Sequence, residues 1–354
     1  MHTALPAALP VDPLRLVRLD PADVSDDELA ALTALDTAVQ RELHPSPAPA
    51  VPVDKLGTYR YGWDGQPPEV YVAADAADPA RLTAPVATLQ LWAPTYDNRT
   101  MAYLDVQVHA DHRRRGLGSA LVAFGEQRAR ELGRGTIGMD YRADDPAGAA
   151  FARRHGYRPV LQEVWRRLEL ADLDRERLTA AVTEAQEHAH GYELLRIAGP
   201  LPADLLAGSA NIEMTLNDAP RDESAHEDEV FTPARIRAFE LARASSGWRL
   251  YRVLARRRAD GQLAGHTLLG TQPAVPGHAE QDTTGVARDH RGHRLGLLLK
   301  VEMLTWLTGP GGPERQLAHV DTFNAGSNTH MTAINDLLGF KVMAASWQCE
   351  KTLT

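Results

Sequence analysis

A short run of arginines and glycines is the part of this sequence best suited to chemistry. Arg113, Arg114 and Arg115 directly precede Gly116, and Gly118 follows two residues later. Glycine allows another group to approach the backbone closely. The first turn of a helix leaves backbone N–H groups unpaired and carries a partial positive charge. A basic, glycine-containing loop at a helix start is therefore suited to bind phosphate groups.

The elements around this loop are a strand and a helix. Residues 101–108 read as a strand that ends at Val108, five residues before Arg113, and residues 118–132 have the apolar spacing of a helix. A dinucleotide loop of the Gly-x-Gly-x-x-Gly type needs a third glycine where Leu121 stands. An ordinary basic helix start is the alternative to a phosphate site.

Both this arrangement and a helix that follows it occur twice. A second strand ends at Val286, five residues before Arg291, which lies 178 residues after Arg113. Residues 145–157 and 328–340 are each a short helix with a capping Asp or Asn and a glycine-aromatic end, 183 residues apart. Two ordered motifs repeated at nearly one offset indicate a tandem repeat.

Together these motifs resemble motif A and the Asn-capped helix of the GNAT superfamily, the acetyl-CoA-dependent N-acetyltransferases. The resemblance covers most of the chain and implies an α/β (α+β) fold. It implies two GNAT-like domains, each with a mixed, mostly antiparallel central sheet flanked by helices. It also implies acetyl-CoA as the cofactor, with the coenzyme A pyrophosphate held by the backbone N–H groups of each loop.

The resemblance assigns cofactor-binding roles to both copies. In the first copy the residues are Val106, Val108, Arg113, Arg114, Arg115, Gly116, Leu117, Gly118 and Ser119. In the second copy they are Val286, Arg291, Gly292, His293, Arg294, Leu295, Gly296, Leu297 and Asn328.

The second loop departs from the family pattern at one position. Arg294 stands where the first copy has Gly116, whereas Gly296 matches Gly118. The Arg294 side chain either crowds the phosphate groups or contacts them, and Gly292 restores some backbone freedom. The first copy therefore has the better phosphate loop.

Acetyl transfer to an amine needs a base for the ammonium proton and an N–H donor for the tetrahedral oxyanion. The resemblance places a glutamate six residues before the strand-end valine. In the second copy this is Glu280, with Asp282 on the same strand face. In the first copy Ala102 stands there, and the nearest acid, Asp105, is expected on the opposite face. We therefore expect the chemistry in the second domain.

Many GNAT enzymes protonate the departing thiolate with a tyrosine on the Asn-capped helix. Counting seven residues from the capping positions gives Ala152 in the first copy and Asn335 in the second. The sequence thus leaves the proton donor open, and Asn335, acting through water, is the candidate with Glu280 and Asp282 for a catalytic role.

Composition narrows the class of protein. The chain has 354 residues, 44% of them hydrophobic, enough for two cores. Its formal net charge of −9 argues against nucleic-acid binding, and no apolar run suggests a membrane span. Cys349 is the one cysteine, so an internal disulfide is excluded. A cytoplasmic location without a bound metal is expected.

Repeats and composition predict the domain boundaries. Residues 1–13 are rich in Ala and Pro and are expected to be disordered. Residues 14–170 form the N-terminal GNAT domain, 171–190 a charged linker helix, and 191–354 the C-terminal GNAT domain. The acidic stretch 217–229 falls where GNAT folds bind the acceptor, although a solvated loop explains it too.

The sequence therefore predicts an acetyl-CoA-dependent N-acyltransferase that modifies a primary amine of a small molecule. Two alternatives remain open. One is an acyl-CoA-binding regulator or scaffold without catalytic activity, which the missing tyrosine favours. The other is a protein lysine acetyltransferase, since an acidic acceptor surface suits lysine as well. Self-association as a homodimer is undetermined.

Overall fold

The structure is a computed structural model that describes residues 2–11, 14–43, 48–75 and 82–354. The chain forms two compact units. Unit 1 contains Met1–Gln162, Asp222–Asp228 and Ser346–Thr354, and unit 2 contains Glu163–Arg221 and Glu229–Ala345. Each unit has its own hydrophobic cores.

The secondary structure repeats from one unit to the other. The strands are β1 Thr3–Ala8, β2 Leu14–Arg18, β3 Glu69–Asp75, β4 Ala87–Trp92, β5 Met101–Val108, β6 Thr136–Arg142, β7 Arg158–Glu169, β8 Tyr192–Ala198, β9 Arg249–Arg257, β10 Leu263–Thr271, β11 His278–Val286, β12 His319–Ala325 and β13 Lys341–Thr352. The α-helices are α1 Asp26–Leu43, α2 Pro52–Tyr61, α3 Leu117–Glu131, α4 Pro146–Arg154, α5 Arg175–His188, α6 Leu206–Glu213, α7 Pro233–Ser245, α8 Leu295–Thr308 and α9 Thr329–Leu338.

The sheet of unit 1 has the order β1-β2-β3-β4-β5-β6-β13. Its strands pair antiparallel except for β5 and β6, which are parallel. One face packs on α3 and α4 through Leu104, Leu121 and Ala152. The other face packs on α1 and α2 through Leu32 and Tyr59. Unit 1 is therefore a mixed sheet between two helical layers, as the sequence predicts.

The sheet of unit 2 has the order β7-β12-β11-β10-β9-β8, and its parallel pair is β11 with β12. The α8 helix is the most apolar helix of this unit, and its Leu299, Met303 and Leu307 are fully buried. The α6 and α7 helices cover the opposite face, where Ile212 and Ile236 are buried. The predicted fold class is confirmed for both units.

The structure corrects the predicted boundary between the domains. Residues 163–169 of β7 pair antiparallel with β12 of unit 2, although they were expected to close the first domain. Residues 346–352 of β13 pair with β6 of unit 1, although they were expected in the second domain. Each half of the chain thus supplies a strand to the sheet of the other. Alternating polarity marks a strand but does not name its partner.

Two further segments differ from the expected boundaries. Within the predicted disordered region 1–13, Thr3–Ala8 forms β1 and pairs with β2, and residues 1, 12 and 13 lie outside the described part. The predicted linker contains α5, whose Ala185 is fully buried in the core of unit 2. The α5 helix is thus a packed element of unit 2. Among the described helices, none is long and apolar enough to cross a membrane.

Candidate active site

The two basic loops share one backbone conformation. In unit 1, Arg114 and Gly116 have left-handed φ values of 63° and 84°. In unit 2, the equivalent Gly292 and Arg294 have φ values of 84° and 54°. Both loops therefore need two left-handed residues, and each copy places its glycine at a different one of them. This explains how Arg294 replaces a glycine without changing the loop.

The first arginine of each loop forms a hydrogen bond to the end of the preceding strand. Arg113 Nε donates to the carbonyl oxygen of Val108 at 2.9 Å, and Arg291 Nε donates to that of Val286 at 3.2 Å. Each arginine thereby closes the loop onto the end of its own strand. The guanidinium of Arg291 also forms an ion pair with the carboxylate of Asp218. Hydrogen bonds from Arg288, and then from Arg291, hold the pKa of Asp218 at about 2.

The side chain of Arg294 is held by α5. Its Nη2 lies 2.6 Å from Glu184 Oε1, and the neighbouring His293 Nδ1 lies 3.0 Å from the carbonyl oxygen of His188. The guanidinium thus pairs with the helix that was predicted to be a linker. The cofactor-binding role of Arg294 stays a prediction.

The helix that follows each loop begins without a side-chain cap from its N-cap residue, within the described structure. The N–H groups of the first turn, from Leu117 in α3 and Leu295 in α8, therefore remain for an anion. A Cβ placed on Gly118 would meet Phe151 at 3.5 Å, and one on Gly296 would meet Ile334 at 3.3 Å. The predicted capped helix of each unit thus packs beside the loop helix.

Those capped helices are α4 and α9. Asp145 Oδ1 accepts from the backbone N–H of Ala147 at 2.9 Å, and Asn328 Oδ1 accepts from that of Met331 at 3.1 Å. Both residues are thus N-caps, as predicted. The cofactor-binding role of Asn328 stays a prediction.

The parallel strands of each unit diverge beside these helices. In unit 1 the pairing of β5 with β6 ends at Tyr103 and Gly138, although β5 continues to Val108. In unit 2 the pairing of β11 with β12 ends at Gln281 and Thr322, although β11 continues to Val286. A strand that has lost its neighbour offers backbone N–H and C=O groups to a ligand that lies in the gap.

A β-bulge distinguishes the two central strands. In β10, Thr267 and Leu269 pair with Thr284 and Gln281, so Leu268 faces two residues of β11, Asp282 and Thr283. In unit 1 the pairing is regular, and Gln90 faces Asp105 alone. Asp105 therefore occupies the position of Asp282. The sequence comparison missed this equivalence because it counted residues back from the strand-end valine across the bulge.

Asp105 lies in a polar pocket of unit 1. Gln90 Nε2 donates to Asp105 Oδ2 at 2.9 Å, and Gln107 Nε2 donates to Asp36 Oδ1 at 3.1 Å. Lys55 Nζ donates to Asp36 Oδ2 at 3.0 Å. Burial raises the pKa of Asp105 to about 6, and the positive charge of Lys55 limits the rise. This carboxyl is poised to exchange a proton near neutral pH.

Asp282 lies in the corresponding place in unit 2. Burial raises its pKa, and the negative charge of Glu213 raises it further. Glu213 Oε1 itself lies 3.2 Å from His266 Nε2, and Ser209 Oγ lies 3.2 Å from His266 Nδ1. Although burial acts to raise the pKa of Glu213, His266 lowers it, so this carboxylate stays charged and opposes ionisation of Asp282.

Glu280, the other predicted base, is more exposed than Asp282. Its side chain is 37% exposed, and Oε2 lies 3.7 Å from Arg243 Nη2. Its equivalent in unit 1 is Tyr103. Glu280 pairs with Gly270 of β10, and Tyr103 pairs with Trp92 at the matching position of β4. Glu280 thus lies on the same strand as Asp282 but in a wetter, ion-paired setting.

Asn335, the third predicted catalytic residue, is fully buried. Its Oδ1 accepts from Lys300 Nζ at 2.8 Å, and its Nδ2 donates to Asn324 Oδ1 at 2.8 Å. Burial lowers the pKa of Lys300 to about 7. Both polar atoms of Asn335 are therefore hydrogen-bonded inside the protein. The sequence analysis missed Lys300 because a lysine in a helix is expected on the solvent-exposed side.

A second polar cluster lies in unit 2. His278, His319 and Asp321 each place one ligand atom within 4.8 Å of the others. Arg167, however, donates to both oxygens of Asp321, at 2.7 and 2.8 Å. The carboxylate is thus already neutralised by a bidentate guanidinium, which disfavours a metal ion beside it. Hydrogen bonds and charge from Arg167 and His278 outweigh burial and hold the pKa of Asp321 at about 2.

The acidic stretch 217–229 is divided between the units. Asp222–Asp228 belongs to unit 1, where Glu227 N–H donates to Asn98 Oδ1 at 2.7 Å. The flanking Asn217 and Glu229 belong to unit 2 and bond to each other. The central part of the stretch therefore packs in unit 1, although the predicted boundary placed it in the second domain.

Comparisons with known proteins agree with this geometry. Residues 37–157 match the sequence model described as the Acetyltransferase (GNAT) family. Among solved structures, a tandem GNAT protein from the clavulanic acid biosynthesis pathway is 27% identical, with 96% of this chain and 99% of that chain covered and a TM-score of 0.77. A GCN5-related N-acetyltransferase from Sphaerobacter thermophilus shares the fold at 20% identity, with 98% and 97% covered and a TM-score of 0.68. A search of curated protein sequences finds no significant match.

Residues 37–157 thus match a GNAT acetyltransferase domain, and the whole chain is similar in fold to a tandem GNAT protein. The chain is an enzyme of the N-acetyltransferase class.

Proposed function

We propose that the protein transfers an acetyl or other acyl group from acetyl-CoA to a primary amine of a small molecule. The observation that carries this proposal is the repeated arrangement of a partly buried aspartate beside diverging parallel strands and a basic loop at a helix start. Asp105 and Asp282 hold this place in the two units. We expect the enzyme to act in the cytoplasm.

The cofactor is proposed to lie along the gap between the diverging strands. The first-turn N–H groups of α3 and α8 suit its pyrophosphate, and the free edges of β5 and β11 suit its amide groups. The thioester then lies beside the last residues of these strands. Val106 to Val108 and Thr284 to Val286 are proposed to supply the N–H donor that stabilises the tetrahedral oxyanion.

The partly buried aspartates are proposed as general bases. An alkylammonium acceptor must lose a proton before its nitrogen attacks the thioester carbon. Asp105, whose pKa burial raises to about 6, accepts that proton in unit 1. In unit 2 we propose Asp282 as the base and Glu280, which remains partly exposed, as a contact for the acceptor cation. Asn335 is proposed to position Asn324 at the edge of the gap.

A binding protein without catalytic activity remains the main alternative, and protein lysine is the alternative acceptor. Incubation of acetyl-CoA with panels of small amines and of lysine peptides, followed by mass spectrometry, separates the three. Release of coenzyme A with an acetylated small amine supports the proposal. Acetylation of peptides alone identifies a lysine acetyltransferase, and acetyl-CoA binding without any acetylated product identifies a binding protein.

A further inference from the structure

A row of three residues crosses the sheet of unit 1 beside the proposed base. Tyr103 on β5 pairs with Gly138 on β6, which in turn pairs with Glu350 on β13. Directly paired residues project on the same face. A Cβ on Gly138 would lie 2.9 Å from Cδ1 of Tyr103, so the glycine leaves a slot between the tyrosine and the glutamate.

The segment Asp222–Asp228 fills this slot. The backbone N–H of Ala225 lies 3.1 Å from both carboxylate oxygens of Glu350, and Glu223 N–H donates to the carbonyl oxygen of Val160 at 3.0 Å. Arg158 also lies 3.1 Å from the Glu223 carboxylate. The segment is thus fixed by its backbone at several points, which holds its side chains in defined places.

Two side chains of the segment join Tyr103 to Glu350 through continuous hydrogen bonds. Tyr103 Oη lies 2.8 Å from His226 Nε2, and His226 Nδ1 lies 2.6 Å from Ser224 Oγ. Ser224 Oγ donates to Glu350 Oε1 at 2.7 Å. Because the serine proton goes to the carboxylate, the serine oxygen accepts from Nδ1–H. The neutral imidazole then leaves Nε2 to accept from the tyrosine hydroxyl.

We propose that Tyr103, His226, Ser224 and Glu350 form a proton relay that takes the second proton of the acceptor nitrogen in unit 1, after Asp105 has accepted the first. This inference rests on the proposed function. Once the amine has attacked the thioester carbon, a proton on its positively charged nitrogen moves to the oxygen of Tyr103 while the phenolic proton moves to Nε2 of His226. The N–H bond of the acceptor and the O–H bond of Tyr103 break, and a new O–H bond and the Nε2–H bond form. The tyrosine ends neutral, the acceptor nitrogen has its lone pair, and the imidazolium holds the charge.

The chain stabilises that imidazolium. Glu350 is 5% exposed, so its carboxylate acts in a low-dielectric setting, and Ser224 connects it to the imidazole. A carboxylate behind a histidine also fixes the tautomer and ring orientation in catalytic triads. Tyr103 is partly exposed and lies two residues from Asp105 on the same strand face. Tyr103 is thus the catalytic residue of the relay, and the other three are positioning residues.

The first test reads the relay without any substrate. Histidine is labelled with nitrogen-15, and NMR spectra are recorded at about pH 8, where an ordinary imidazole is neutral. The His226 signals are assigned by their loss in His226→Asn. We expect the Nδ1–H tautomer, and we expect Tyr103→Phe to shift the Nε2 resonance while Tyr96→Phe, at a tyrosine that is 49% exposed, does not. An Nε2–H tautomer, or an Nε2 resonance that ignores Tyr103→Phe, overturns the relay.

The second test asks whether the relay carries this second proton. After attack, the nitrogen of a primary alkylamine holds its proton more tightly than that of an O-alkylhydroxylamine of the same length, which loses the proton to water more readily. In a Gly296→Glu background that blocks the loop of unit 2, we expect Tyr103→Phe and Glu350→Gln to lower kcat with alkylamines by about 100-fold. With O-alkylhydroxylamines we expect less than about 3-fold, and KM unchanged for both. Tyr96→Phe and Glu227→Gln serve as controls.

The outcomes separate this inference from the proposed function. Equal losses of kcat with both acceptor types, or no loss with alkylamines, overturn the relay while the enzyme remains an N-acyltransferase. If the wild type acylates neither acceptor type, the proposed function fails, and the NMR result alone then supports or overturns the hydrogen-bonded chain. Thermal unfolding of each variant shows whether a loss of kcat comes from a loss of folded protein.

Discussion

At the scale of single residues, the proposed chemistry depends on charged groups that the fold has removed from water. Asp105 and Asp282 are carboxyls whose pKa is raised by burial, and Lys300 is an amine whose pKa is lowered by burial. Each such group destabilises the fold when it is charged, because water solvates the ion better. Strong perturbation of this kind is common at functional sites.

Asp105→Asn tests the proposed base of unit 1. In the Gly296→Glu background, we expect kcat/KM to fall below about pH 6 in Asp105 proteins, because the protonated carboxyl accepts no proton. Asp105→Asn should lower kcat/KM about 100-fold and remove this acid limb. Asp23→Asn, at an exposed surface aspartate, is the control. If kcat/KM of Asp105→Asn still falls below about pH 6, Asp105 is not the base.

Lys300→Met tests whether the buried amine destabilises unit 2. The unfolded lysine titrates near 10.5 and the folded one near 7, so between these values the unfolded state binds more protons. The wild-type free energy of unfolding should therefore rise with pH by about 1 kcal/mol per unit in this window, and that of Lys300→Met should not. Hydrogen exchange of α8 amides measures this, with Lys341→Met as an exposed control. Parallel profiles for both proteins would exclude the burial effect.

The residue-scale site was only partly predictable. The roles of the glycines, arginines and capping residues could be predicted, because their local spacing in the sequence marks both loops. Asp105 was not matched with Asp282 because a bulge adds one residue to β11, and a bulge leaves no mark in the composition. Lys300 and the Tyr103–His226 contact depend on tertiary packing between segments far apart in the chain, which periodicity does not describe.

At the scale of elements, each basic loop links a strand to a helix through two left-handed residues. The flanking strands and helices were predicted because their apolar periodicity extends over many residues. The short α2 and α6 helices were missed, since ten and eight residues carry little periodic signal. The repeated loop conformation, with glycine at different positions, shows that the backbone path rather than the residue type is kept.

Gly292→Ala tests the requirement for left-handed backbone in the loop of unit 2. Its φ is 84° and no atom lies within 4 Å of a built Cβ among the described residues, so strain alone is introduced. We expect unit 2 to lose about 1 kcal/mol in its free energy of unfolding. Gly191→Ala is the matched control, since its site is equally open without a positive φ. Urea unfolding that shows equal stability for both variants would contradict the assigned conformation.

At the scale of the whole molecule, strands from distant parts of the sequence complete each sheet. Residues 346–352 pair with β6 in unit 1, and residues 163–169 pair with β12 in unit 2. The tandem repeat made two sheets predictable, but it gave no information on which copy receives each closing strand. The partner of each closing strand is determined by pairing between segments that are far apart in the sequence.

Removal of residues 346–354 tests this strand assignment. We expect faster hydrogen exchange in β6 of unit 1, because residues 136–142 lose their antiparallel partner. The amides of β9 and β10 in unit 2 should remain protected. The opposite pattern, with β12 of unit 2 exposed and β6 unchanged, would contradict the exchange of strands.

The most direct test of the central claim is a calorimetric titration with acetyl-CoA. A Cβ fits at Gly118 and nearly fits at Gly296, so glutamate there brings a negative charge to each helix start without changing the left-handed residues. The account predicts two sites in the wild type, loss of one in Gly118→Glu and of the other in Gly296→Glu, and weaker effects in the matched glutamine variants. A wild type that binds no acetyl-CoA, or two sites unaffected by either glutamate, would contradict it.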